Sequence, residues 1–124
     1  MNLNQVTISA ADVEKSVVFY KKLGLHLIVD ASPRYVRFEL PDGDSTFSIH
    51  HADEIIGTTT TVYFEEDNLD EYVAQLQKQG IEFTLLPTDQ TWLWREAHLL
   101  DPDANKLIIY KAGKNRKNPP WRIE

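Results

Sequence analysis

The sequence predicts an α+β fold built from two βαβββ modules, and three observations carry that prediction. Two helical stripes share one length, each ends in a glycine followed by an aliphatic residue, and each exit opens a run of strands. In the first helix Asp12 is placed to cap the N-terminus, Val13, Val17 and Tyr20 supply the apolar stripe, and Gly24 stops it before Leu25. In the second, Asn68 caps, Leu69, Val73 and Leu76 form the stripe, and Gly80 stops it before Ile81. Cap and stop are equally spaced in the two helices, which makes them copies of one unit.

The strands follow from alternation. Residues 5–8 place Val6 and Ile8 on one face, and Leu25, Leu27 and Val29 alternate with His26, Ile28 and Asp30 after the first helix. Residues 34–40 set Val36 and Phe38 against Tyr35, Arg37 and Glu39, and the turn Pro41-Asp42-Gly43-Asp44 leads into residues 46–51. The second copy opens at Thr60 with Val62 and Phe64. Phe83 and Leu85 take the places of Leu27 and Val29, and Pro102-Asp103-Ala104 takes the place of Pro41-Asp42-Gly43. Module one then covers about residues 1–56 and module two about 58–112, with Gly57 as the hinge and 113–124 as a C-terminal arm, all within a single domain spanning 1–124. Neither module has enough sheet to stand alone, so the expectation is a curved mixed sheet with the helices on its convex face, joined edge to edge or across a dimer.

Composition excludes several classes of function. The chain has 124 residues, 13 Lys+Arg against 19 Asp+Glu, and a net charge of −6, which suits one domain without general affinity for nucleic acid. It has no cysteine, so thiol nucleophiles, zinc ribbons, iron–sulfur clusters and redox pairs are ruled out, and a reducing cytoplasm is the expected location. The opening MNLNQVTISAADVEK turns polar too early for a signal peptide, and no apolar run is long enough for a membrane span. No glycine-rich phosphate loop, serine elbow or dinucleotide fingerprint is present, so hydride and acyl transfer have no support.

The apolar alternates Val6, Ile8, Phe47, Ile49, Val62, Phe64, Leu107 and Ile109 should meet the helices. Their opposites, Gln5, Thr7, Ser48, His50, Thr61, Tyr63, Glu96, His98, Ile108 and Tyr110, then form a mostly polar second face suited to line a ligand cleft.

The segments SAADVEKSVVFYKKLGL and LLDPDANKLIIY resemble the first helix and closing hairpin of the glyoxalase/bleomycin-resistance/dioxygenase proteins, the vicinal oxygen chelate superfamily. The resemblance runs through nearly the whole chain. It implies a cavity that in metal-dependent members holds a divalent ion on side chains from the first and last strands of each module, usually His, Glu or Gln. Those positions fall on Gln5, Ser48, Thr61 and Ile108 in this sequence. Only Gln5 is a conceivable ligand, so the standard metal site is expected to be dismantled and no cofactor is expected there.

A displaced site is open to a divalent ion or to proton transfer. Glu96 and His98 are two apart and share a face, with His50 on the same side of its own strand, and an imidazole beside a carboxylate can act as acid or base near neutral pH. The plainer alternative is a solvated or cross-strand pair. His51 points away from His50, so the two are not a chelate, and His26 has no identifiable partner. Trp92 and Trp94 alternate toward the face of Glu96 and His98 and offer an aromatic wall for a flat ligand, or else cap the sheet end. Arg37, with Tyr35 and Glu39, can add a guanidinium for an anionic group, unless this is simply a solvated edge strand.

The arm KAGKNRKNPPWRIE is basic on an acidic body, and its stiff Pro119-Pro120-Trp121 segment suits clasping a partner subunit. The expected function is therefore small-molecule binding by a homodimer, with Glu96 and His98 as candidate catalytic residues and Trp94, His50, Gln5, Tyr63, Tyr110 and Arg37 as candidate ligand contacts. The alternatives are a divalent-metal-dependent lyase, isomerase or dioxygenase of the same superfamily, and a purely structural module.

Overall fold

The computed structural model describes residues 2–55 and 60–123. Gly57, the expected hinge, lies outside them. Two compact units emerge: residues 1–58 together with 101–104, and residues 59–100 together with 105–124.

In the first unit, β1 (Gln5–Ala10), α1 (Val13–Lys22), β2 (His26–Ala31), β3 (Tyr35–Glu39) and β4 (Thr46–His51) follow in order. The sheet order is β1-β4-β3-β2, with β1 parallel to β4 and the other pairs antiparallel. The Asp12 side chain accepts from the Lys15 amide as the cap requires, and Gly24 exits with φ 98°. The second unit repeats the plan with β5 (Thr61–Glu65), α2 (Leu69–Lys78), β6 (Leu85–Asp89), β7 (Arg95–Leu100) and β8 (Lys106–Lys111), in the order β5-β8-β7-β6. Asn68 stands at the N-cap of α2 but makes no side-chain cap bond there. Phe83 precedes β6 rather than belonging to it. Gly43 (φ 77°) and Ala104 (φ 63°) occupy matching turns in the same left-handed conformation, so the internal repeat extends to the backbone of its turns.

α1 packs on β2, β3 and β4, and α2 packs on β6, β7 and β8. Tyr20, Phe38, Phe47, Ile49, Leu99 and Leu107 are fully buried beneath them, and Ile8, Val62 and Ile109 are buried as the alternation predicts. Two expected core residues depart from this. Val6 is 37% exposed and Phe64 is only half-buried. Each stands on the edge strand that begins its module, Val6 toward the start of β1 and Phe64 toward the end of β5, whereas Ile8 and Val62 on the same strands are buried.

The second sheet corrects the expectation of a mostly polar face. Ile108, Tyr110 and Ala112 are buried together there, with Trp94 packed against them. The arm is not extended from its start: a 3-10 turn spans Gly113–Arg116. Among the described residues no helix is long and apolar enough to cross a membrane.

Candidate functional site

On the first sheet, the face opposite α1 carries a chain of side-chain hydrogen bonds. Parallel pairing of β1 with β4 puts Gln5 level with Thr46 and Thr7 level with Ser48, while β3 brings Arg37 opposite Ser48 and Tyr35 opposite His50. Gln5 Nε2 donates to Ser48 Oγ at 2.7 Å, Ser48 Oγ meets the Tyr35 hydroxyl at 2.7 Å, and Arg37 Nε donates to Tyr35 at 2.9 Å. The Gln5 amide is oriented by its other bonds. Its nitrogen also donates to the Val6 carbonyl, which can only accept, and its oxygen takes the Thr46 hydroxyl. Ser48 is wholly buried. Hydrogen bonding from Ser48, with help from Arg37, holds the Tyr35 phenol below its ordinary range. His50 is exposed, and His51 instead bonds Asp53 at 2.9 Å. His26 approaches Glu39 at 4.0 Å on the surface.

On the second sheet, Glu96 is buried at 2% exposure, and both its oxygens are engaged. Oε2 accepts from Trp92 Nε1 at 2.8 Å and Oε1 meets His98 Nε2 at 2.8 Å. The hydrogen of that contact belongs to His98 Nε2 in the tautomer that donates to a carboxylate, with Nδ1 then the acceptor end of the ring. Alternation brings Glu96 and His98 to one side, as the sequence predicts. Trp92 reaches them differently: it lies in the turn before β7, not in the strand, and bends back over Glu96. Leu93, with φ 68°, makes that reversal.

An aromatic cluster adjoins this pair. Trp94 stacks on Tyr110 at 4.6 Å between ring centroids, and Tyr63 meets both rings edge-on at 6.0 and 5.8 Å. Burial pushes the Tyr110 phenol up, with the Glu65 charge adding to it. Tyr63 remains half exposed.

A cleft of about 550 Å³ opens at the end of β6, β7 and β8, with Leu93, Trp94, Arg95, Lys111, Ala112 and Asn115 in its lining. Trp94 is the predicted site residue that lines it, whereas Glu96 and His98 do not. Its indole nitrogen donates to the Asn115 carbonyl at 3.2 Å, while the buried Asn115 Oδ1 has no hydrogen-bond partner. Arg95 is held at the rim by Asp70 and Asp89, at 2.9 and 3.1 Å.

Paired βαβββ modules, each with a helix on one sheet face and polar and aromatic groups on the other, define a class of protein. Residues 2–109 match the family model for the Glyoxalase/Bleomycin resistance protein/Dioxygenase superfamily, and the chain belongs to that superfamily. It is 28% identical to the uncharacterized protein YraH of Bacillus subtilis (strain 168), over 90% of this chain and 98% of that one. In fold it is similar to a glyoxalase/bleomycin resistance protein/dioxygenase from Nocardioides, with TM-score 0.79 and 23% identity over 100% of this chain and 90% of the other. It is similar to lactoylglutathione lyase from Agrobacterium tumefaciens at TM-score 0.75 and 16% identity, over 89% and 92% of the two chains. It is also similar to the bleomycin resistance determinant encoded on transposon Tn5, at TM-score 0.76 and 19% identity, over 90% and 98%.

The four residues that the resemblance places at the superfamily's metal positions offer a poor donor set for a divalent ion. Ser48 faces the nitrogen end of the Gln5 amide, which repels a cation, and its own oxygen is already bonded to Tyr35. Thr61 offers only a neutral hydroxyl and Ile108 is a buried hydrocarbon. Among the described residues no group of three or more His, Asp or Glu side chains is gathered to hold a metal elsewhere.

The alternation of Tyr35 with Arg37 was visible in the sequence, but the role of Tyr35 as the link between Arg37 and Ser48 was not, because it depends on cross-strand register. The same holds for Trp92 as partner of Glu96.

Proposed function

We propose that this chain is a small-molecule-binding protein of the glyoxalase/bleomycin-resistance type that works without the superfamily's metal or any other cofactor. The observation that carries this reading is the Tyr63–Trp94–Tyr110 cluster beside the buried Glu96–His98 pair, with Trp94 also lining a cleft of about 550 Å³. That volume suits a ligand of drug size, with the Trp94 indole at its wall for apolar contact and the Glu96–His98 pair, outside the lining, as a separate polar group on the same sheet. Gln5, His50 and Arg37 are assigned to the same role on the first sheet. A net charge of −6 favours cationic over anionic ligands at long range, and a chain without cysteine suits the cytoplasm.

The test is an NMR titration with metal-free bleomycin, the ligand present in one structure of similar fold. The His98 ring signals should shift while those of His51, bonded to Asp53, stay in place. His98→Ala should weaken binding by about 1–3 kcal/mol if the ring makes a buried hydrogen bond. A silent His98, or equal shifts at His51, overturns the site. Protein purified without chelator or affinity tag should hold no stoichiometric divalent ion; zinc, nickel or manganese lost on changing Gln5 or Ser48 would overturn the metal-free reading.

One observation favours a second reading. Glu96 Oε1 meets His98 Nε2 at 2.8 Å, and an imidazole anchored to a carboxylate through one nitrogen can serve as general base through the other, so a metal-free lyase or isomerase reaction can be built on this pair.

We further propose a homodimer. Trp121 is 56% and Ile123 87% exposed at the end of the arm, and apolar groups of this size gain by being covered. Sedimentation of the intact protein should show a dimer at micromolar concentration, and truncation before Asn118 should weaken it. A monomer in the intact protein ends the idea.

A further inference from the structure

We infer that the Tyr35 hydroxyl is the donor of a separate oxyanion-binding site on the first sheet, taking an anionic oxygen of a ligand such as a phenolate. The inference concerns the first unit alone and does not depend on His98.

It follows from counting protons along the chain Arg37–Tyr35–Ser48–Gln5. Arg37 Nε can only donate, and does so to the Tyr35 oxygen. Gln5 Nε2 can only donate, and does so to Ser48 Oγ. Two hydroxyls therefore lie between two fixed donors. Their 2.7 Å contact uses one of their two hydrogens, and the other must point out of the chain. Which one leaves is decided by burial. Ser48 has no exposed surface, and Gln5 and Tyr35 are its side-chain partners, so an outward Ser48 hydrogen would be a buried donor with nothing to meet. Tyr35 is only partly covered. Ser48 thus donates to Tyr35, and the phenolic hydrogen is the one presented outward.

That arrangement gives the Tyr35 oxygen two incoming hydrogen bonds, one from a cation. Both stabilise negative charge on it, so the phenol is a stronger donor than an ordinary tyrosine, in accord with its lowered pKa. The Arg37 guanidinium stays within 5.6 Å of the Tyr35 ring and supplies positive charge beside the oxyanion. A donor paired with a nearby cation is the arrangement that holds negative charge on oxygen. The other titratable groups on the strands around Tyr35 are Glu39 on β3 with His26 of β2 beside it, His50 in register on β4, His51 bonded to Asp53, and Asp30 on β2, whose carboxylate is taken up by Ser32.

Ultraviolet titration of tyrosinate in the wild type and variants tests the proton count, and para-nitrophenolate serves as the oxyanion probe. The first phenol to ionise should do so below the ordinary value of about 10, should vanish in Tyr35→Phe, and should move up in both Ser48→Ala and Arg37→Gln. Para-nitrophenolate should bind the wild type and lose about tenfold in affinity in Tyr35→Phe, the worth of one good hydrogen bond. An unchanged first phenol in Tyr35→Phe overturns the proposal, as does para-nitrophenolate that fails to bind the wild type or binds Tyr35→Phe equally well. Bleomycin shifts at His98 with no para-nitrophenolate binding would sink this site and leave the other reading standing. Binding lost in Tyr35→Phe with a silent His98 would do the reverse.

Discussion

Replacing Phe47 with Ala is expected to destabilise the protein by about 3–5 kcal/mol, the range for emptying a large aromatic site in a packed core. Phe47 lies on the central strand β4 at 2% exposure, with the Tyr20 ring 4.8 Å away, and Phe38 is its partner in register. Tyr20 in turn reaches Phe38 at 6.1 Å, so three rings from α1, β3 and β4 fill one volume and cannot collapse into the gap without leaving their rotamers. Chemical denaturation measures this as a fall in midpoint at unchanged slope. Val6→Ala, on the exposed end of β1, should cost far less; equal losses would contradict the assignment of the core.

Asp101→Ala is expected to cost about 3 kcal/mol although it removes few apolar contacts. Asp101 is buried at 5% exposure and accepts from the Tyr20 hydroxyl at 2.7 Å and from the Asp103 amide at 2.9 Å. Each buried donor stripped of its acceptor costs about 1–3 kcal/mol. Burial and the Asp101 charge both push the Tyr20 phenol far up, so it remains a protonated donor throughout the range where the protein is handled. Asp103 extends the connection, accepting from the Ala11 amide at 3.0 Å beside the cap of α1. Tyr20→Phe should be milder than Asp101→Ala, and the double variant should cost less than the sum, because the orphaned hydroxyl is then absent. Additive losses measured by denaturation would show that the two groups do not act as a pair.

Those two predictions rest on different kinds of information. The stripe containing Tyr20 and the alternation containing Phe47 are legible as sequence patterns, since the periods of helix and strand alone decide which side chains share a face. The link from Tyr20 to Asp101 is not, because a separation of 81 residues carries no local signal. The candidate site divides in the same way. Alternation places Glu96 with His98, and the superfamily resemblance singles out Gln5, Ser48, Thr61 and Ile108. Alternation fails at Trp92, where a left-handed Leu93 breaks the strand and turns the indole back onto Glu96. It also calls the second sheet's outer face polar, because it counts Tyr110 and Trp94 as site residues without showing that they stack on each other and pack with Ile108 and Ala112.

By itself the sequence determined the two βαβββ modules, their helix limits, the side-chain cap of α1 and the matched turns. These follow from local periodicity and from turn and capping chemistry. Tertiary structure alone decided that Val6 is exposed and Phe47 buried, because Val6 lies near the start of the edge strand β1 whereas Phe47 lies on β4, between β1 and β3 and against Tyr20 of α1. It also decided which hydrogens the buried hydroxyls and carboxylates share, because cross-strand register brings Arg37, Tyr35, Ser48 and Gln5 into one chain.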